Sequence, residues 1–127
     1  MVLQSGIVRL SAESANISKN ENHIAGHRCE LAVIRLLTQR GWILECQRAR
    51  TTIAEIDLIF SKKNEILLIE VKKLDDPWRS FVRVHKKQYQ KLQKNLIFLS
   101  TNIKSFNFKA IVCWVDEKNK ISFVLVN

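Results

Sequence analysis

The chain has 127 residues, 46% of them hydrophobic and 26% charged, with 21 Lys and Arg against 12 Asp and Glu for a net charge of +9. That length suits one domain with a real core, and the ordinary apolar fraction argues against a disordered chain. No apolar run approaches the length of a membrane span, and no basic segment followed by an apolar one opens the chain, so neither a transmembrane helix nor a signal peptide is expected.

Residues 1–23 read as an N-terminal arm. Positions 11–22 are polar, small and nearly neutral, while Ile7, Val8 and Leu10 offer a short strand or an interface contact. Residues 24–127 are taken as a single domain. Its first element is a helix over 24–40, because Ala25, Cys29, Ala32, Val33, Leu36 and Leu37 recur at helical spacing and Gly41 supplies a stop. Glu30 borders that apolar stripe. It is either a solvated carboxylate favoured near a helix start or an acid carried over the elements that follow. His23 and His27 are four residues apart, but no third ligand accompanies them and no metal is assigned to the pair. Cys29, Cys46 and Cys113 are odd in number, widely spaced and set among apolar residues, so buried thiols in a reducing cytoplasm are expected.

Residues 42–50 form a strand, with Trp42, Leu44 and Cys46 alternating with Ile43, Glu45 and Gln47. Two apolar runs follow, 56–60 and 66–71, around a polar turn at Lys62, Lys63 and Asn64, which is a hairpin signature. The charges inside this hairpin are out of place. Asp57 stands in the first run, Glu70 interrupts the second, and Lys72 follows two residues later. Strand side chains alternate, so Glu70 and Lys72 face the same way, and Asp57 joins them if the register allows. An ionised group among strand aliphatics is unfavourable unless it is paired or bound to a metal. The plain alternative is a solvated strand end with a weak surface pair. Two carboxylates and an ammonium on one sheet face can also hold a divalent cation and orient a water.

Asp75 and Asp76 precede Pro77 and are commoner as turn or capping residues than as ligands. Residues 80–101 form the second long helix, with an apolar stripe through Phe81, Val84, Tyr89, Leu92, Leu96 and Leu99; His85 is read as a half-buried helix residue. Between Arg79 and Lys94 stand Arg79, Arg83, Lys86, Lys87, Lys91 and Lys94 without one acid. Such a segment is an electrostatic footprint for a polyanion, with an anionic membrane surface or a merely solvated face as alternatives. A buried strand over 109–115, a turn over 116–119 and a last strand over 120–126 complete the chain. The order is α-β-β-β-α-β-β, a mixed sheet with helices on its faces.

Five short motifs fall in order along this frame: G-H-R-C-E at 26–30, R-G-W-I-L-E at 40–45, A-E-I-D-L-I at 54–59, I-E-V-K at 69–72 and K-Q at 87–88. Together they resemble the YraN-like family of small bacterial proteins. That family belongs to the restriction-endonuclease-like, PD-(D/E)XK superfamily and is similar in layout to archaeal Holliday-junction resolvases. The chain departs from the family at three places. Ala54 and Cys29 stand where glycine is usual, and Lys73 follows the motif lysine where a small residue and an arginine are usual.

The resemblance implies a restriction-endonuclease-like α/β (α+β) fold and a Mg²⁺-dependent endodeoxyribonuclease. Asp57 and Glu70 would then coordinate Mg²⁺ or Mn²⁺, helped by the backbone carbonyl of Val71. Lys72 would hold or polarise the attacking water. Glu30 would reach the metal directly or through water, and Glu55 shares the face of Asp57. Lys87 and Gln88 would touch the phosphate backbone, within a nucleic-acid-binding set of Arg79, Arg83, Lys86, Lys87, Gln88 and Lys91. The expected partner is DNA, chosen by shape (branched, flapped or single-stranded), with RNA left open and no membrane; cutting a junction twice would suit a homodimer. Two other readings stand beside this one: a non-catalytic nucleic-acid-binding module on the same fold, and an interaction protein using its basic helix.

Overall fold

The computed structural model describes residues 8–10, 21–74 and 86–127. Asp75, Asp76, Arg79, Arg83 and His85, with the start expected for the second long helix, lie outside the described residues. The elements are β1 (Val8–Leu10), α1 (Glu21–Gln39), β2 (Ile43–Thr51), β3 (Glu55–Lys62), β4 (Glu65–Lys73), α2 (Lys86–Asn102), β5 (Asn107–Val115) and β6 (Ile121–Val126). The fold is the expected mixed sheet with helices, in the expected order, with the three-residue β1 added at the front. Helix α1 begins three residues before the expected Ile24.

The six strands form one sheet in chain order. Neighbours are antiparallel except β4 and β5, which run parallel. A parallel pair needs a long crossover, and the segment containing α2 supplies it. Chain turns are set by local chemistry. Gly41 takes a left-handed φ of 87° just past α1, where the Trp42 N–H bonds the Leu37 carbonyl at 3.0 Å. The β3–β4 turn places Lys63 at φ 55°, and the β5–β6 turn places Asn119 at φ 62°. In β2 the register slips by one residue between Leu44 and Cys46, a bulge at Glu45, whose carboxylate accepts the Ser61 hydroxyl at 2.6 Å.

Each face of the sheet has its own core. Under α2, Leu92 and Leu99 pack with Ile59, Ile66, Leu68, Ala110 and Val112. Under α1, Cys29, Val33 and Leu37 pack with Leu58, Phe60, Leu67, Ile69 and Cys113. Strand β4 alternates between the two cores, with Ile66 and Leu68 to one side and Leu67 and Ile69 to the other. Burial on both faces explains its unbroken apolar run. All three cysteines are buried, and none is in a disulfide. Among the described residues, no helix is long and apolar enough to cross a membrane.

Candidate active site

The site forms where the central hairpin comes apart. Strands β3 and β4 pair from Lys62↔Glu65 to Leu58↔Ile69, and there the ladder between them stops. Beyond that point β3 continues along β2 as far as Arg50↔Glu55, and β4 continues along β5 as far as Lys73↔Val115. The strands part because a side chain takes the place of a backbone partner: the Val71 N–H donates to Oδ2 of Asp57 at 2.8 Å. Asp57 is thereby pinned at the fork. A pocket of about 180 Å³ opens in the gap, lined by Ala54, Glu55, Asp57, Glu70, Lys91 and Leu92.

Alternation along β4 puts Glu70 and Lys72 on the α2 face with Leu68, as the sequence pattern implies. Lys72 Nζ lies 3.1 Å from Glu70 Oε1, and both side chains are largely buried. The Asp57 and Glu70 carboxyls stand close enough to share a hydrogen bond. Burial, reinforced by the Asp57 charge, pushes Glu70 up to about 7, although Lys72 pulls the other way. Burial also raises Asp57, opposed by the Val71 N–H and Lys72 and assisted by Glu55. Two acids that both resist ionising, side by side, form a donor set that a divalent cation would neutralise.

The far wall of the pocket belongs to α2, and a buried polar clamp sets its position. Asn95 is 1% exposed and donates from Nδ2 to the Ala54 carbonyl at 3.3 Å. Its Oδ1 bonds the hydroxyl of Thr51, which also accepts the N–H groups of Ile53 at 3.0 Å and Ala54 at 3.3 Å. The clamp ties α2 to the loop that feeds Glu55 and Asp57. Lys91 lies one helical turn before Asn95, on the same side of the helix, and is thus presented to the two acids. Ala54, standing where the resemblance expects glycine, is one of the pocket-lining residues.

Glu30 lies on the buried face of α1, beside β2. It is buried, 8% exposed, and its carboxylate lies 3.5 Å from Arg48 of β2. It is not one of the pocket-lining residues. Among the described residues, no three His, Cys, Asp or Glu side chains group closely enough to hold a metal ion. Arg48 itself has a φ of 51° in the middle of a strand, unusual for a residue other than glycine. The structure thus brings together Asp57, Glu70, Lys72 and the Val71 backbone, faces them with Lys91, and flanks them with Glu55. Lys86, Lys87 and Gln88 lie in the first turn of α2, just ahead of Lys91. The sequence reading missed Arg48 and the Thr51–Asn95 clamp; a basic residue in a strand and a lone Asn in a helix carry no distinguishing pattern.

The sequence model of the uncharacterised protein family UPF0102 matches residues 29–113. That span is about two thirds of the chain and holds the whole forked hairpin and α2. The chain belongs to UPF0102. This is the YraN-like family, of the restriction-endonuclease-like superfamily, that the motifs resemble. A UPF0102 protein of Roseobacter denitrificans is 34% identical over 68 residues, covering 54% of this chain and 53% of the relative. One from Ruegeria pomeroyi is 35% identical over 71 residues, covering 56% and 58%. One from Prochlorococcus marinus is 44% identical over 43 residues, covering 34% of each. The chain therefore spans about half the length of the first two curated relatives it matches.

Proposed function

We propose that this UPF0102 chain is a metal-dependent nuclease that hydrolyses phosphodiester bonds in DNA, selecting its substrate by shape. One observation carries the reading: two half-buried carboxylates with raised pKa values, Asp57 and Glu70, lie together where β3 and β4 separate, with Lys72 3.1 Å from Glu70. Perturbed acids converging in a cleft support an active-site reading.

Asp57 and Glu70 would hold Mg²⁺ or Mn²⁺, with the Val71 carbonyl as a further oxygen. Two hard carboxylates suit an ion that keeps several waters. When bound, such an ion supplies charge stabilisation at the phosphate and a water of lowered pKa. Lys72, held by Glu70, would orient the attacking water and offset charge developing on the phosphorus oxygens. The Val71 N–H fixes the Asp57 rotamer. Lys91, on the pocket wall, would meet the backbone phosphates, which position a duplex or branch without reading its bases. RNA shares that chemistry and is the comparison substrate.

The placement of Glu30 against Arg48 favours a second reading, a nucleic-acid-binding module on the same fold. Cleavage of labelled duplex, single-stranded, flap and four-way-junction DNA, with Mg²⁺ or Mn²⁺, separates the two. Metal-dependent cutting lost in Asp57→Ala and Lys72→Ala supports the nuclease. Salt-sensitive binding without cutting, unchanged by Asp57→Ala, supports the module.

A further inference from the structure

We infer that the outer edge of β6 is a self-association surface and that its partner is the β6 of a second copy of this chain. Strand β6 ends the sheet, and among the described residues nothing pairs its outer edge. Exposed sheet edges are ordinarily guarded by charge, proline, a bulge or shortness. The opposite edge follows that rule, since β1 has three residues with Arg9 at its centre. Strand β6 does not: its six residues, Ile-Ser-Phe-Val-Leu-Val, carry no charge and no proline.

Its side chains are exposed on both faces. Phe123 and Leu125 lie opposite Cys113 and Ile111 and so belong to the α1 side; Val124 lies opposite Val112 and belongs to the α2 side. They are 42%, 59% and 36% exposed. On the α2 side, Gln93 reaches the Asn127 carbonyl at 2.7 Å, and Ile97, one turn further along the same flank and 60% exposed, widens the apolar rim. A lone hydrophobic groove would need apolar side chains alone. This edge also offers a row of backbone donors and acceptors, which only another strand can match.

Charge and symmetry select a second copy. In a chain of net charge +9, the run from Ile121 to Asn127 is free of Lys and Arg, so two copies can meet there without bringing cations together. An antiparallel pair of identical edge strands is related by a two-fold axis perpendicular to the sheet, which pairs a residue with itself and closes the assembly. Centring on Val124 sets Phe123 of each copy against Leu125 of the other and leaves Lys120 beyond the ladder. A Phe123 centre would instead set Lys120 opposite Val126. The same axis keeps both α2 faces on one side of a twelve-stranded sheet. If the nuclease reading holds, two sites then face one DNA, as paired cuts in a branched substrate require.

Sedimentation of the full chain, without DNA or metal, tests this independently of catalysis. Wild type should be dimeric at about 100 µM and dissociate on dilution, as small interfaces do. The double variant Phe123→Lys with Leu125→Lys, at exposed positions, should weaken dimerisation by at least about a hundredfold. Asp57→Ala should remain dimeric. In a background of buried thiols, Val124→Cys should form a disulfide-linked dimer on mild oxidation, and Ile53→Cys, 41% exposed in the β2–β3 loop, should not. A monomeric wild type, a dimeric double-lysine variant, or a dimer that Val124→Cys does not trap would overturn the inference.

Discussion

The two ends of the β3–β4 hairpin are built from the same strands and solve opposite problems. Toward the turn, the ladder runs unbroken from Lys62↔Glu65 to Leu58↔Ile69, and Phe60, Ile59, Ile66 and Leu68 are fully buried. One residue further, the ladder stops, the Val71 N–H turns to Asp57, and two half-buried carboxyls lie against each other. The first end stabilises the fold. The second opposes it and is held in place by the first. Half-buried acids at a strand fork persist because apolar burial on both faces of β4 over-determines the backbone that carries them.

The two ends should respond differently to substitution. The largest expected effect is at the fork. Asp57→Ala should lower DNA cleavage by at least about a thousandfold, from loss of a charge held at the reacting centre, while circular dichroism shows the chain still folded. Phe60→Ala, at the paired end, should do the reverse. It should lower unfolding stability in urea by about 3–5 kcal/mol through a cavity under α1, leaving the cleavage rate of the folded fraction near wild type.

The fork should also announce itself in pH dependence. A carboxyl raised from 4.5 to about 7 favours folding most when protonated. The stability it contributes is therefore fully present below about pH 4.5 and lost as pH rises through 7. That loss amounts to about 3 kcal/mol at most for the metal-free chain. Glu70→Gln should flatten the profile, and Mg²⁺ should offset the loss in wild type above pH 7. An unchanged slope in Glu70→Gln would place the titrating group elsewhere.

Smaller effects sharpen how the far wall is set. Asn95→Ala removes the clamp bonds to the Ala54 carbonyl and to the buried Thr51, and should lower stability by about 1–3 kcal/mol in urea unfolding. Lys91→Ala should leave stability unchanged and reduce the salt slope of DNA binding by about one. A stability loss in Lys91→Ala as large as that in Asn95→Ala would mean that the cation is structural.

Much of this arrangement was legible in the sequence, because strand periodicity reports faces. Glu70 and Lys72, two apart in an apolar run, had to share a face, and they do, 3.1 Å apart. The hairpin and its turn followed from two apolar runs around Lys63 and Asn64. What periodicity cannot report is where a ladder ends. The fork depends on one side chain, Asp57, replacing one backbone partner of Val71, and no local pattern encodes that exchange. Glu30 was found as an acid at the border of a buried face. Its pairing with Arg48 depends on how α1 sits against a left-handed residue of β2, a tertiary fact without a sequence period.

Whether the open end of the hairpin binds a divalent cation is tested most directly by Mn²⁺ titration followed by electron paramagnetic resonance of the free ion. At about pH 8, above the titration of Glu70, wild type should take up Mn²⁺ at a site lost in both Asp57→Asn and Glu70→Gln. It should be retained in Lys91→Ala. Binding that survives both acid substitutions, or no binding by wild type, would contradict the account.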